Sequence, residues 1–205
     1  MPEPIRELAP GILHWKAEHP NLGIDVSAYC LTESRVLLDP IMLAEGVEWF
    51  AEKGLEPAAI VLTNRHHWRN SGELVARYGC PVYASRPGMH EFGDGQEVTP
   101  FDFGATLPGG IVAHEVGVIC PDETALEIPE VSALAVADGV IDYDRLGFVP
   151  DQYLDEPEHT KRGLYDRYER LAEHVDFEHL LVAHGEPIVL NGRAELREWA
   201  QRREL

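Results

Sequence analysis

Apolar residues along this chain fall into short runs separated by glycine, proline or charged positions. Short runs bounded by turn residues read as strands. Residues 12–15 (ILHW), 28–31 (AYCL) and 35–39 (RVLLD) are three such candidates, and Pro40 ends the last. Leu43, Val47, Phe50 and Ala51 then recur at helical spacing up to Gly54. Residues 58–63 (AAIVLT) are continuously apolar, the pattern of a strand covered on both faces. A helix follows, with Leu74, Val75 and Tyr78 on one side, Gly79 as its stop, and Asn70 with Glu73 as a capping pair. Residues 81–84 (PVYA) complete a strand–helix–strand unit.

The second half starts with strand patterns at residues 110–116, 124–128 and 133–137. Residues 157–174 form the longest helix candidate, with Leu164, Tyr168, Leu171 and Val175 on one stripe. Residues 180–183 read as another buried strand. Asn191 caps a last helix that buries Leu196, Trp199 and Ala200. No linker, repeat or low-complexity tract interrupts the chain, so residues 1–205 read as one mixed α/β domain with helices covering sheet faces.

Composition narrows the picture. The chain has 205 residues, 36 acidic and 17 basic, for a net charge of −19. A chain of this length buries roughly 70% of its unfolded surface and needs no disulfide or structural metal to fold. The charge repels nucleic acid and anionic membranes. Cys30, Cys80 and Cys120 are too widely spaced for a metal motif and read as free thiols in a reducing compartment. Residues 1–10 carry too many charges and prolines for a secretion signal, and no apolar run reaches the length of a membrane span. A cytoplasmic protein with a small-molecule substrate or ligand is expected; the oligomeric state is left open.

Ten histidines give the chemistry its lead. Four apolar runs each end on a residue type that can bind a metal. AIVLT runs into Asn64-Arg65-His66-His67, IVA into His114, LAVA into Asp138-Gly139, and LLVA into His184-Gly185. Buried strands bring their polar ends to one rim of a sheet, where rigid elements can build a site. Three imidazoles and one carboxylate suit zinc, iron or manganese. Taken singly, each histidine reads more simply as a loop residue bonded to backbone or water.

These residues, in this order, resemble the metallo-β-lactamase superfamily. The resemblance implies a four-layer αββα sandwich with two facing mixed sheets and metals at one edge. Its signature is a strand, Thr, H-x-H-x-D-H, a lone His after Pro-Gly, an Asp after a strand, and a final His-Gly. Thr63 to Arg69 (TNRHHWR) occupies the signature loop, His114 the place of the lone His, Asp138 that of the bridging Asp, and His184-Gly185 the end. Residues 36–40 (VLLDP) resemble the family's strand that ends in Asp39.

The signature loop departs from the family. Aligned on Thr63, the ligand positions hold Asn64, His66, Trp68 and Arg69, and Val112-Ala113 precedes His114 in place of Pro-Gly. Asparagine is a weak ligand, tryptophan none, and arginine a permanent cation. If Arg69 points inward, its guanidinium replaces the second metal's charge and pairs with Asp138. The resemblance then implies one divalent metal, zinc before iron or manganese, held by His66, His114, Asp138 and His184, or no metal at all. Adjacent residues on a tight loop point apart, so His66 and its neighbour His67 seldom share one metal; the alignment favours His66, and a one-residue slip would make His67 the ligand instead. Asn64, Arg65, His67, Trp68 and Arg69 would surround the ligands or touch substrate.

Three functions remain open: a metal-dependent hydrolase, a non-catalytic relative that binds a small anion through Arg65, Arg69 and the histidines or serves a partner at the same rim, and a mononuclear iron-dependent oxygenase. Loops around residues 86–96 and 148–158 are expected to overhang the site. Other motifs carry less. Gly93-Asp94-Gly95 is a turn, Asp142-Tyr143-Asp144 an incomplete calcium loop, and Cys120 a buried thiol before Pro121. The acidic residues on the helices read as a solvated face.

Overall fold

The structure, a computed structural model, describes residues 4–204. Residues 1–3, part of the stretch read as unlike a secretion signal, and residue 205 lie outside the described residues. Seven strands form the first sheet: β1 (Arg6–Ala9), β2 (Ile12–Glu18), β3 (Asp25–Leu31), β4 (Val36–Leu38), β5 (Ala59–Val61), β6 (Val82–Ser85) and β7 (Val98–Phe101). They lie side by side in chain order. The first four are antiparallel and joined by tight turns; β4 to β7 run parallel. Parallel neighbours need a crossover. Helices α1 (Trp49–Glu52) and α2 (Ser71–Tyr78) lie in the first two crossovers.

The second sheet comprises β8 (Val112–Glu115), β9 (Thr124–Ile128), β10 (Ala133–Val136) and a strand from far along the chain. A small hairpin of β11 (Ile141–Asp142) and β12 (Leu146–Gly147), then helix α3 (Pro157–His174), intervene before β13 (His179–Val182) pairs parallel with β10. Helix α4 (Gly192–Arg202) closes the described chain.

Alternation along the strands sorts side chains into three apolar layers. In β3, Val26, Ala28 and Cys30 join the cluster under α1 and α2, while Tyr29 and Leu31 enter the layer between the sheets. In β10, Ala133 and Ala135 face that same layer, while Leu134 and Val136 pack beneath α3 and α4. Strands covered on both faces must be apolar at every position, which is why residues 58–63 and 133–137 read as unbroken runs. Each fully buried aliphatic side chain contributes about 1.5–3 kcal/mol. This is the αββα sandwich with two facing mixed sheets that the sequence implied.

Some elements differ from the sequence reading. The helix expected from Leu43 to Gly54 shrinks to the single turn of α1, because Gly46 interrupts it with φ +78°. Asn70 precedes α2 but makes no cap; its side chain donates to Glu73 at 3.1 Å. Asn191 precedes α4 in the left-handed region, φ +58°, again without a side-chain cap. The edge strands β1 and β7 carry too many polar residues and a proline to read as strands from pattern alone. Among the described residues no helix is long and apolar enough to cross a membrane.

Candidate metal centre

The C-terminal ends of β4, β5, β10 and β13 meet at one rim. Backbone bonds stitch the two sheets together there: Thr124 N–H donates to the Thr63 carbonyl and Ser27 N–H to the Ala183 carbonyl, both at 2.9 Å. Beside these stitches His67, Asp138 and His184 each present a donor atom, all within 4.8 Å of one another. His184 Nε2 lies 2.8 Å and His67 Nε2 3.3 Å from Asp138 Oδ1.

The signature loop owes its shape to Asn64. Its Oδ1 accepts the His66 N–H at 2.7 Å, starting a tight 3₁₀ turn over Arg65–Trp68. Its Nδ2 donates to Asp138 Oδ2 at 2.6 Å. The turn throws His66 outward into solvent and sends His67 inward, where it is 4% exposed. The expected preference is therefore reversed: His66 stands outside the cluster and His67 within it. Asn64 is a bridge between the turn and Asp138.

His67 is oriented from behind. Its Nδ1 donates to Asp39 Oδ2 at 2.9 Å, and the same carboxylate accepts the Thr63 hydroxyl at 2.5 Å and the Thr63 N–H at 2.8 Å. A carboxylate on Nδ1 orients the ring and turns Nε2 toward Asp138. Burial and Arg69 push the His67 pKa down, but Asp39 and Asp138 outweigh them and raise it to about 9. Burial alone would raise Asp138; the imidazoles of His67 and His184 hold it well below the ordinary carboxylate range. Asp39 is likewise lowered, chiefly by His67 against its own burial.

Arg69 enters the same region but does not pair with Asp138 as expected. Its Nη1 donates to the backbone carbonyls of Ser27, at 2.7 Å, and Asp39, at 2.8 Å, while Nε and Nη2 are enclosed without partners. Both Asp39 and Arg69 have left-handed backbones, φ +46° and +42°, a conformation that non-glycine residues hold only when their surroundings enforce it. Arg69 therefore sets a fixed positive charge beside the cluster while clamping β3 to the end of β4.

The remaining expected residues lie elsewhere. His114 sits within β8 rather than after it, opposite Ala125 of the α3 and α4 layer. The period of a strand thus turns it to the outer face, where Nε2 meets Glu127 at 2.7 Å. Trp68 turns away to pack near Phe92, with ring centroids 6.1 Å apart. Arg65 is engaged by Asp122, and Glu91 lies 3.6 Å away. Of the two expected overhanging segments, residues 86–91 adjoin the signature turn through that contact, whereas Phe148 packs on Tyr165 and Trp199.

The glycine after His184 is required by geometry. Gly185 has φ +99°, and a Cβ there would fall 1.6 Å from the Asp142 carbonyl oxygen. That closeness lets Asp142 N–H donate to the His184 carbonyl at 3.0 Å and pins the ligand loop to β11.

Several participants carried no sequence signal. Asp122 and Glu123 are buried in the rim, 1% and 0% exposed, yet in the sequence they are two acids among 36. Ser27, which holds the Gly185 carbonyl at 3.1 Å and caps Arg69 with its own, lies mid-strand. Nearby, burial raises the Tyr143 pKa, with Asp25 and Asp138 adding to it, and burial lowers that of His19, with Arg69, His67 and His184 adding to it.

No family model matches the chain. Hydroxyacylglutathione hydrolase of Bdellovibrio bacteriovorus is 32% identical over 95 residues, 40% of this chain and 38% of that relative's length. The DIM-1 metallo-β-lactamase superposes with TM-score 0.73 at 14% identity, over the full length of both chains. TTHA1623, solved in a di-iron-bound form, superposes with TM-score 0.63 at 20% identity, over 95% of this chain and 98% of the other.

Proposed function

Proceeding from the metallo-β-lactamase fold that these structures share with the chain, we propose a hydrolase that uses one divalent metal, with zinc the first choice. The observation that carries this reading is the His67–Asp138–His184 cluster with His67 Nδ1 locked by Asp39. The donor set fits: two imidazoles and one carboxylate supply an ordinary ligand complement and leave coordination positions open. When bound, the metal would polarise a substrate oxygen and lower the pKa of a coordinated water toward neutrality.

The chain's own residues define the rest. Asp39 orients the His67 ring, and Asn64 holds Asp138 from the opposite side. Arg69 supplies the fixed charge that a second metal brings in two-metal relatives, so one ion suffices to balance the carboxylates of Asp39 and Asp138. One ion rather than two is favoured because, among the described residues, Asn64 is engaged, His66 and His114 face away, and Trp68 cannot ligate. The alternative of a metal-free anion site is less well supported, because Arg65 is neutralised by Asp122 and the free nitrogens of Arg69 are enclosed. The oxygenase reading draws on the same two-histidine, one-carboxylate set, which also suits Fe(II), and on the iron in the TTHA1623 structure.

The test is reconstitution. Chelator-stripped protein is assayed against a panel of activated esters, thioesters and phosphodiesters with zinc, manganese or iron(II) restored singly. Metal-dependent hydrolysis that disappears in His184→Ala supports the reading. Turnover that needs both iron and oxygen replaces it with the oxygenase. Activity indifferent to chelator overturns it.

A further inference from the structure

Strand β9 is entered through two adjacent acidic side chains, Asp122 and Glu123, and both are buried. They reach different loops. Asp122 Oδ2 accepts the Arg65 N–H at 2.7 Å, and its other oxygen pairs with the Arg65 guanidinium. Glu123 Oε1 accepts the Gly139 N–H at 2.5 Å. The next residue, Thr124, donates its N–H to the Thr63 carbonyl at 2.9 Å. Arg65 belongs to the turn that carries His67, and Gly139 follows Asp138 directly. Three consecutive residues at the entrance to β9 therefore hold two of the three loops of the cluster, those of His67 and Asp138.

The Glu123 end is closed as well as bonded. A methyl group on Gly139 would lie 2.6 Å from Glu123 Oε1, 2.7 Å from the Tyr168 hydroxyl and 2.9 Å from Leu164. Glu123 Oε2 and the Tyr168 hydroxyl are buried without a hydrogen-bond partner. Burying a carboxyl group is unfavourable unless hydrogen bonds offset it, and a strand entrance as such does not call for two. Their positions make sense as anchors for the loops they grip.

We propose that Asp122 and Glu123 are positioning residues that hold the His67 and Asp138 loops at metal-binding separation, Glu123 acting on Asp138 through the Gly139 amide. The proposal rests on the metal reading above. Neither acid contributes a donor atom to the cluster, so each acts through backbone placement.

Zinc affinity is measured by competition with a chromophoric chelator, and the cobalt(II) spectrum and the hydrogen exchange of the Gly139 amide are recorded alongside. Glu123→Ala is expected to lower zinc affinity about 10- to 100-fold, the range for lost outer-sphere support, to alter the cobalt spectrum and to speed Gly139 exchange. Glu123→Gln keeps an accepting oxygen and should restore all three. Asp122→Ala, with Asp122→Asn as a partial rescue that keeps one accepting oxygen for Arg65, is the second arm should Glu123→Ala fail to fold. Zinc binding unchanged in both alanine variants, or glutamine as damaging as alanine, overturns the clamp. Wild-type protein that takes up no zinc overturns the metal reading, and with it the role given to the clamp.

Discussion

At the scale of single residues, the site turns on which of two adjacent histidines faces inward. Asn64 decides this by capping the turn at His66 N–H, so the outward place falls to His66 and the inward one to His67. His67→Ala should weaken zinc binding at least about 100-fold, while His66→Ala should leave it within about twofold; isothermal titration separates the two. Asp39→Ala should lower affinity about 10- to 100-fold by releasing the His67 ring. Much of this was legible in part. Asp138 and His184 stand out because each directly follows an apolar run, whereas the choice between His66 and His67 depends on a side-chain cap that spacing does not reveal. The strand parity that turns His114 toward Glu127 is set by its pairing with β9, a long-range register that no local pattern encodes.

At the scale of elements, each ligand is held by the end of a buried strand and by the loop that the end feeds. The buried strands were readable because two covered faces demand unbroken apolar runs. The edge strands β1 and β7 were not, since one exposed edge tolerates polar residues and proline. Helix α1 was overestimated because helical spacing at Leu43, Val47 and Phe50 was produced by burial in an irregular segment. The final His-Gly pair shows how tightly a loop is constrained. Gly185→Ala would force a Cβ into the Asp142 carbonyl. It should destabilise the fold by about 2–4 kcal/mol, within the range for overpacking combined with an incompatible φ, and chemical denaturation would read the loss. A stability change below about 0.5 kcal/mol would show that β11 does not hold the His184 loop.

At the scale of the whole molecule, two buried histidines give stability opposite pH dependences. His14 packs between β1 and β3, bonded to Arg6 and Ser27, and its pKa falls to about 3, chiefly through burial and then through Arg6 and Lys16. A lowered histidine favours the folded state fully above the unfolded value of about 6.5, and that contribution is lost as pH falls below it. Relative to His14→Gln, the wild type should lose about 1.4 kcal/mol per pH unit between about pH 6.5 and 3; urea unfolding of both proteins across that range provides the check. His67 acts in reverse in metal-free protein. Its pKa, raised to about 9, contributes stability below about 6.5 that disappears as pH rises through 9. The net charge of −19 is a field that repels polyanions in general terms, yet it says nothing of the buried acids Asp39, Asp122, Glu123 and Asp138 on which the rim is built. The most direct test of the account is metal stoichiometry by elemental analysis after zinc loading and gel filtration, on wild type and on His67→Ala, His66→Ala and His114→Ala. One equivalent per chain, lost only in His67→Ala, is the predicted result; two equivalents, none, or a loss in His66→Ala or His114→Ala with His67→Ala still loaded, would contradict it.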